Sequence, residues 1–320
     1  MTWVYLTISL ILVQQGYFLL AKKYNITDVP NKRSSHQEVT IRGGGVIFPI
    51  AILIWYFTHQ EYLFFTIGLI SISAISFADD WKSLSPGIRI VVQIMALSFL
   101  LMQIGTFYAY WYWIPVAYVL ALGWFNAFNF MDGINGMIAM STIGALLTLI
   151  YLNSVNPYME MDLLLYSLIA TLIFAYFNVR RRAKTFAGDV GSISMGFILA
   201  FAMFRLITMT SQWEYVLMAV LFGIDPALTV VKRLLKGKNI FATHRTFLFH
   251  YLANEVGMTQ LSVSALYMAL QLVINFVLIF WIIPSSYSTL ISIAVIVFLV
   301  LAYLLIKRWV ERKYVENPIE

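Results

Sequence analysis

Two short groups of aspartate and asparagine have the residue types and spacing that bind a divalent cation. Asp79 and Asp80 are adjacent, and adjacent carboxylates repel one another unless they share a proton or a cation. Asn126, Asn129 and Asp132 follow one another at intervals of three, which places them on one face of a helix. Without a function, Asp79 and Asp80 would be a solvated loop end. The Asn126, Asn129 and Asp132 row would then serve only for hydrogen bonds between helices.

A third acid lies between glycines, in Gly188-Asp189-Val-Gly191-Ser192, just before a predicted helix. Glycine lets a backbone approach a ligand closely, and the N–H groups at a helix start favour phosphate. An ordinary helix cap by Asp189 is the alternative. The basic tract 180–184 precedes it, and such tracts set topology, contact lipid headgroups or grip phosphate.

Further ionisable residues are ambiguous on sequence alone. Asp225 falls near the end of a predicted span, where an acid is a functional candidate by default. His244-Arg245 lies in a large basic loop and Arg33 with His36 in the first loop. Each pair suits either a solvated surface or a phosphate contact.

Composition requires the bilayer as solvent. The chain is 61% hydrophobic and 11% charged, whereas soluble proteins have about 25% charged residues. With no cysteine, any metal must be bound by oxygen or histidine. The net charge of +6 is attributed to cytoplasmic loops rather than to nucleic-acid binding. We predict one integral membrane domain over residues 1–320.

Hydropathy predicts an all-α polytopic protein with about eleven transmembrane helices. The spans are 3–21, 45–58, 62–78, 89–105, 111–126, 134–152, 163–179, 192–209, 214–231, 261–282 and 287–306. Alternating them puts every Lys and Arg on one side except Arg205, which is expected to snorkel or to pair with Glu214. That side is predicted to be cytoplasmic, with the N-terminus outside and the C-terminus inside.

The five aspartates therefore gather among cations on the predicted cytoplasmic face. Carboxylates with amides suit Mg²⁺, with Mn²⁺ as an alternative, and the cations suit a polyanionic substrate. Phosphoryl transfer at the membrane surface is the resulting hypothesis. A transporter is a competing class, although the acids leave no polar trail to the exterior. A membrane prenyltransferase is another, although Asp79-Asp80 lacks the third acid of such a motif.

The motifs, taken in order, resemble the polyprenyl-phosphate N-acetylhexosamine-1-phosphate transferases. That family includes the phospho-MurNAc-pentapeptide translocases and the enzymes that initiate O-antigen and related glycan lipids. The resemblance runs from Pro30 to about Leu252. Its signatures are Pro30 to His36 with Arg42-Gly43-Gly44, Phe77 to Asp80 with Leu84 to Pro86 and Arg89, Asn126 to Gly136, and Gly188 to Ser192.

The resemblance implies transfer of an N-acetylhexosamine 1-phosphate from a UDP-sugar to a polyprenyl phosphate in the bacterial inner membrane. It implies Asp189 as principal metal ligand, joined by Asp79, which also activates the lipid phosphate, with Asp80 orienting either that phosphate or the metal. The remaining implied site residues bind nucleotide or phosphate, and Asp132 and His244 among them are counted as catalytic. They are Arg33, Arg42, Asn126, Asn129, Asp132, Asn135, His244 and Arg245.

Two positions depart from the family pattern. Many members have aspartate where this chain has Asn135, so we expect Asn135→Asp to be tolerated structurally and to alter donor recognition. The last histidine motif is reduced, with Phe247 at one of its positions, and His250 receives no role. A two-step route through an aspartyl intermediate, the identity of the sugar and a homodimeric assembly stay open.

Overall fold

The fold is almost entirely helical. The computed structural model describes residues 2–30, 38–106, 111–238 and 245–316. Ten helices in these residues are long and apolar enough to cross a membrane, and a shorter apolar helix covers Gly44–His59. Together they coincide with the eleven predicted spans, so the prediction of an all-α polytopic membrane protein is confirmed.

The described residues form twelve α-helices, numbered in chain order. They are α1 (Thr2–Lys23), α2 (Ile47–His59), α3 (Leu63–Trp81), α4 (Pro86–Gln103), α5 (Ile114–Met131), α6 (Met137–Val155), α7 (Met161–Asn178), α8 (Gly188–Thr210), α9 (Val220–Leu235), α10 (Leu248–Asn254), α11 (Gln260–Val277) and α12 (Ser288–Val310). Strands β1 (Thr27–Asp28) and β2 (Thr40–Ile41) form an antiparallel pair. Shorter 3₁₀ or π turns cover Gly44–Val46, Trp111–Trp113, Trp213–Ala219, Leu278–Ile282 and Glu311–Glu316.

Several helices extend past the predicted boundaries into polar sequence. α3 continues through Asp79 and Asp80, α5 continues to Met131, and α8 already begins at Gly188. Hydropathy detects only the apolar middle of a helix, because the polar end turns are stabilised by neighbouring segments instead. Asp79, Asp80 and Asp189 therefore lie on the terminal turns of helices, where the backbone fixes their direction.

The predicted span 214–231 changes helix type along its length. Trp213–Ala219 forms 3₁₀ turns before α9 starts. The Gln271 side chain bridges the change, since its amide donates to the Leu217 carbonyl at 2.9 Å and its oxygen accepts from the Leu221 N–H at 3.2 Å. A buried polar side chain thus satisfies backbone groups that the altered helix leaves unpaired.

α8 is the central helix of the bundle. It packs against α2, α3 and α5. In its apolar stretch 78% of the residues are buried, compared with 11% for α12. Phe65 of α3 stacks on Phe201 of α8, with ring centroids 4.2 Å apart. The first turn of α8, which carries Asp189, is consequently held by packing on several sides.

The connections sort into two ends of the bundle. At the end opposite the acids, His59 lies 3.3 Å from Asp162, and Arg205 donates to the Tyr158 carbonyl at 2.7 Å. The expected pairing of Arg205 with Glu214 is wrong, because Glu214 accepts from the hydroxyl groups of Ser288 and Thr289 instead. This sorting follows the predicted alternation of spans. Which end faces the cytoplasm stays a prediction from charge.

Candidate active site

The first-loop glycines dock on the segment that leads into α8. Residues 41–45 lie against residues 185–191, joined by three backbone hydrogen bonds of 2.9–3.1 Å. A Cβ on Gly45 would collide with the Cα of Gly191, so only glycine permits this approach of two backbones. The contact brings Arg42, which is remote in sequence, to the start of α8.

Asp80 is a positioning residue for the first turn of α8. Its side chain is fully buried. One carboxylate oxygen accepts from the Asp189 N–H at 2.9 Å and from the Arg42 Nε at 2.6 Å, and the other accepts from the Val190 N–H at 2.9 Å. Unpaired N–H groups at a helix start are thereby satisfied. Asp80, rather than Asp189 itself, caps α8.

Asp79, one residue earlier, faces the site. Its carboxylate accepts from the Leu84 N–H at 2.6 Å and pairs with Arg89 at 2.7 Å. Arg89 also lies 3.5 Å from Asp189, and the carboxyl groups of Asp79 and Asp189 contact one another. Two facing carboxyl groups require a proton or a cation between them. The two adjacent aspartates therefore have different surroundings.

The predicted asparagine row lies on the last turns of α5. Asn129 donates to the Ser192 hydroxyl at 3.2 Å and contacts the Asp189 carboxylate. Asn126, one turn earlier, donates to the Leu122 carbonyl at 2.8 Å and lines a cavity described below. The expected common face is present, with Asn129 at the acids and Asn126 beside them.

Asp132 completes the acidic cluster. Its carboxylate accepts from the Gly188 N–H. Burial, and then the negative charges of Asp80 and Asp189, raise the pKa of Asp132 to about 7. Burial alone would lower the pKa of Arg42, but Asp80 and Asp189 outweigh it and raise that pKa. The cluster is an acid-rich site neutralised by arginine and able to hold additional positive charge.

Asn135 holds a neighbouring loop. Its side chain is buried, and its amide donates to the carbonyls of Arg180 at 2.9 Å and Arg181 at 3.2 Å. These contacts argue against the expectation that Asn135→Asp is tolerated structurally, because an ionised aspartate has no N–H to donate and would face two carbonyl oxygens. Contact with the nucleotide stays a prediction.

Two residues at this end received no site role from the sequence. Arg89 bridges two acids, as described above, and Asn178 links two loops. Asn178 accepts from the Gly136 N–H and donates to the Thr185 carbonyl, both at 2.9 Å. The available signal was a lone amide at the polar end of an apolar span, where burial demands a hydrogen-bond partner.

The last loop also reaches the site. His250 packs against the turn after α5, where a Cβ on Gly133 would lie 2.6 Å from the histidine Nε2. Within the described chain, the Arg245 Nε and one Nη are buried without a hydrogen-bond partner. Burial lowers the pKa of Arg245, although Glu255 opposes that change. Three residues of interest lie outside the described residues: Arg33, His36 and His244.

The carboxylate oxygens of the site suit a hard cation that also binds water and substrate phosphate. Within the described residues, no group of three or more His, Cys, Asp or Glu side chains is arranged to hold a metal. Asp79 and Asp189 face one another, however, and Mg²⁺ is typically bound by one or two carboxylates together with water and substrate phosphates. The residues therefore fit Mg²⁺, and its binding stays a prediction.

A long apolar cavity of about 770 Å³ opens beside the acids, between α4, α5, α8, α9 and α12. Its polar lining includes Arg89, Gln93, Asn126, Asn129 and Asp189. Apolar side chains line it as far as Ile207 and Val216, toward the opposite end of the bundle. Along α8, residues 189 to 207 span about 27 Å, which is close to the thickness of a bilayer core.

The protein is a polytopic helical bundle in which a cluster of acids and arginines lies beside an apolar cavity. This arrangement suits a ligand that has a charged group at one end of an apolar chain. The profile of glycosyl transferase family 4 matches residues 62–207 of the chain. Three curated relatives show the extent of the similarity.

The chain is 23% identical to a probable undecaprenyl-phosphate N-acetylglucosaminyl 1-phosphate transferase of Bacillus subtilis, over 78% of this chain and 75% of the relative. It is 28% identical to the undecaprenyl-phosphate alpha-N-acetylglucosaminyl 1-phosphate transferase of Yersinia pestis, over 75% and 72%. It is 27% identical to the phospho-N-acetylmuramoyl-pentapeptide-transferase of Streptococcus mutans, over 39% and 35%. The predicted resemblance to this family is thereby confirmed.

Proposed function

We propose that the protein transfers an N-acetylhexosamine 1-phosphate from a UDP-sugar to a polyprenyl phosphate, which is undecaprenyl phosphate in bacteria. The product is the first lipid-linked intermediate of a cell-envelope glycan, and UMP leaves. The observation that carries the proposal is the placement of the acid and arginine cluster at one end of a long apolar cavity. The names of the relatives support the same reaction class.

The cavity accommodates the lipid. A prenyl chain is apolar, and its burial along the aliphatic lining is favourable by about 25 cal/mol per Å². Its phosphate then lies among Arg89, Asn126 and Asn129, beside the carboxylate of Asp79. In this role Asp79 orients and activates the phosphate oxygen, while the buried Asp80 keeps α8 in place.

The nucleotide is expected at the solvent side of the same cluster. A guanidinium carries five N–H donors, more than the two carboxylate contacts of Arg42 use. The buried, unpartnered nitrogens of Arg245 suit a second oxygen of the diphosphate. Mg²⁺, or Mn²⁺ as an alternative, would be held by Asp189 and Asp79 and would neutralise charge on the diphosphate.

The reaction balances without a further energy source. An oxygen of the lipid phosphate forms a bond to the phosphorus that carries the sugar, and the bond from that phosphorus to UMP breaks. One phosphoanhydride replaces another of similar energy. A two-step route through an aspartyl intermediate remains a rival, for which Asp79 is better exposed than Asp80.

Transport and prenyl transfer are the competing functions. Transport requires polar groups along a path to the other end, whereas the described lining of the cavity becomes apolar away from the acids. Prenyl transfer would use the same cavity but would release pyrophosphate rather than UMP. The leaving group therefore separates the two enzymatic functions.

The decisive experiment is an assay of purified protein with undecaprenyl phosphate, Mg²⁺ and a panel of UDP-N-acetylhexosamines. We expect UMP release with at least one donor. Asp189→Asn should lower kcat and kcat/KM together by about 100-fold. Asp162→Asn, which neutralises an acid at the opposite end, is the matched control and should retain turnover. Folded protein that releases no UMP with any donor, or that releases pyrophosphate from a prenyl donor, would refute the proposal.

A further inference from the structure

Asp225 is a buried acid that the site described above does not use. It lies on α9 and is 1% exposed. One carboxylate oxygen accepts from the Leu248 N–H at 3.0 Å and the Tyr303 hydroxyl at 2.7 Å. The other accepts from the Phe249 N–H at 3.4 Å and the Tyr267 hydroxyl at 2.9 Å. Each of these contacts needs an acceptor, which an ionised carboxylate provides on both oxygens.

Two of these contacts fall on the first turn of α10. Leu248 and Phe249 are its first residues, and Phe247 before them makes no side-chain cap. A helix of seven residues is too short to be stable in isolation. Asp225 supplies the acceptors that the local sequence lacks, and its negative charge is favourable at a helix start.

α10 in turn carries residues to the active site. The Phe247 ring stacks on Phe130, with centroids 5.8 Å apart, and His250 packs against Gly133. Arg245 precedes the helix by three residues. The segment 245–250 is therefore held between α9 on one side and the turn that bears Asp132 on the other.

We propose that Asp225 is a positioning residue of the transferase. By capping α10, it holds His250 against the turn that follows α5 and fixes the segment that carries Arg245, and it contacts no substrate itself. Its effect on turnover rests on the proposed function. Its effect on the order of α10 does not, so the two are tested separately.

The kinetic test compares Asp225→Asn with Tyr267→Phe. An asparagine replaces one acceptor oxygen by an NH₂ group, which faces the N–H of either Leu248 or Phe249 and cannot bond to it. Tyr267→Phe removes one donor to the same carboxylate but leaves both backbone contacts. We expect Asp225→Asn to reduce kcat/KM for the UDP-sugar by about 10- to 100-fold.

Whether the loss of kcat/KM comes from the KM for the UDP-sugar or from a lower active fraction distinguishes positioning from general damage. Arg245 is assigned to the diphosphate, so the KM for the UDP-sugar should rise while the KM for the lipid phosphate stays unchanged. A merely structural role would lower the active fraction and leave both KM values as they are. Tyr267→Phe should remain within about threefold of the parent protein, since its lost bond is peripheral to the cap.

A spin label measures the order of α10 independently of activity. The chain has no cysteine, so Asn254→Cys and Asn156→Cys each give one exposed labelling site. When Asp225→Asn is introduced into these two labelled variants, it should increase label mobility at position 254, on α10. Label mobility at the remote position 156 should stay unchanged. Tyr267→Phe should change neither.

Each outcome decides the proposal. Unchanged kinetics and mobility in Asp225→Asn, or equal loosening at both labels, would overturn it. Selective loosening at position 254 with a selective rise in donor KM supports it. If the parent protein releases no UMP, the proposed function fails, while the mobility comparison still decides whether Asp225 orders α10.

Discussion

Replacing Gly188 by alanine tests the geometry on which the site depends. Gly188 has a φ of +71°, a conformation that alanine adopts only with strain. A Cβ there would lie 2.5 Å from an oxygen of Asp80 and 2.7 Å from the backbone nitrogen of Gly43. Ordinary contacts begin near 3.4 Å, so Asp80 or the first loop must move by about 0.9 Å.

Two costs add in this variant. The left-handed backbone costs about 1–2 kcal/mol for a residue with a Cβ. Forcing an additional carbon into a close-packed contact costs about 1–3 kcal/mol more. We therefore expect Gly188→Ala to destabilise the protein by about 2–5 kcal/mol. Because Asp80 and Arg42 would shift together by nearly 1 Å, turnover of the folded fraction should fall by about 100-fold.

Gly257→Ala is the matched control. Gly257 has a φ of +83°, but no atom lies within 4 Å of its Cβ position, so only the backbone cost applies. Thermal unfolding in detergent and UMP release should be measured on both variants. An equal loss of stability, with normal turnover in Gly188→Ala, would show that the α8 start is not packed on Asp80 as described.

Three further predictions concern Asn135, Asp132 and the orientation in the membrane. Asn135→Asp should destabilise the protein by about 2–4 kcal/mol in thermal unfolding, because the buried side chain loses two hydrogen bonds to backbone carbonyls; unchanged stability would contradict it. The folded-state pKa of Asp132, about 7, lies above its unfolded value of about 3.9, so in EDTA stability should fall as pH rises through that window. Asp132→Asn should flatten this dependence. In intact cells, an impermeant thiol reagent should label Asn156→Cys but not Ser83→Cys, and the reverse would invert the predicted orientation.

The sequence by itself determined the class of fold and located the motifs of the candidate site. Apolar runs of membrane length and the one-sided charge distribution are local properties, because the bilayer imposes them on each segment separately. The motifs around Asp79, Asn129 and Asp189 likewise indicated the family, since residue types and their order are properties of the sequence alone.

Only the tertiary structure decided what each side chain does. Asp79 and Asp80 are equivalent in sequence, yet successive residues on a helix point about 100° apart, and only packing shows which one meets the start of α8. That Asn135 donates to two backbone carbonyls about 45 residues away had no sequence signature, because every residue has a carbonyl. The same holds for Asp225, whose backbone partners on α10 are N–H groups that every residue except proline has, so only the fold selects them.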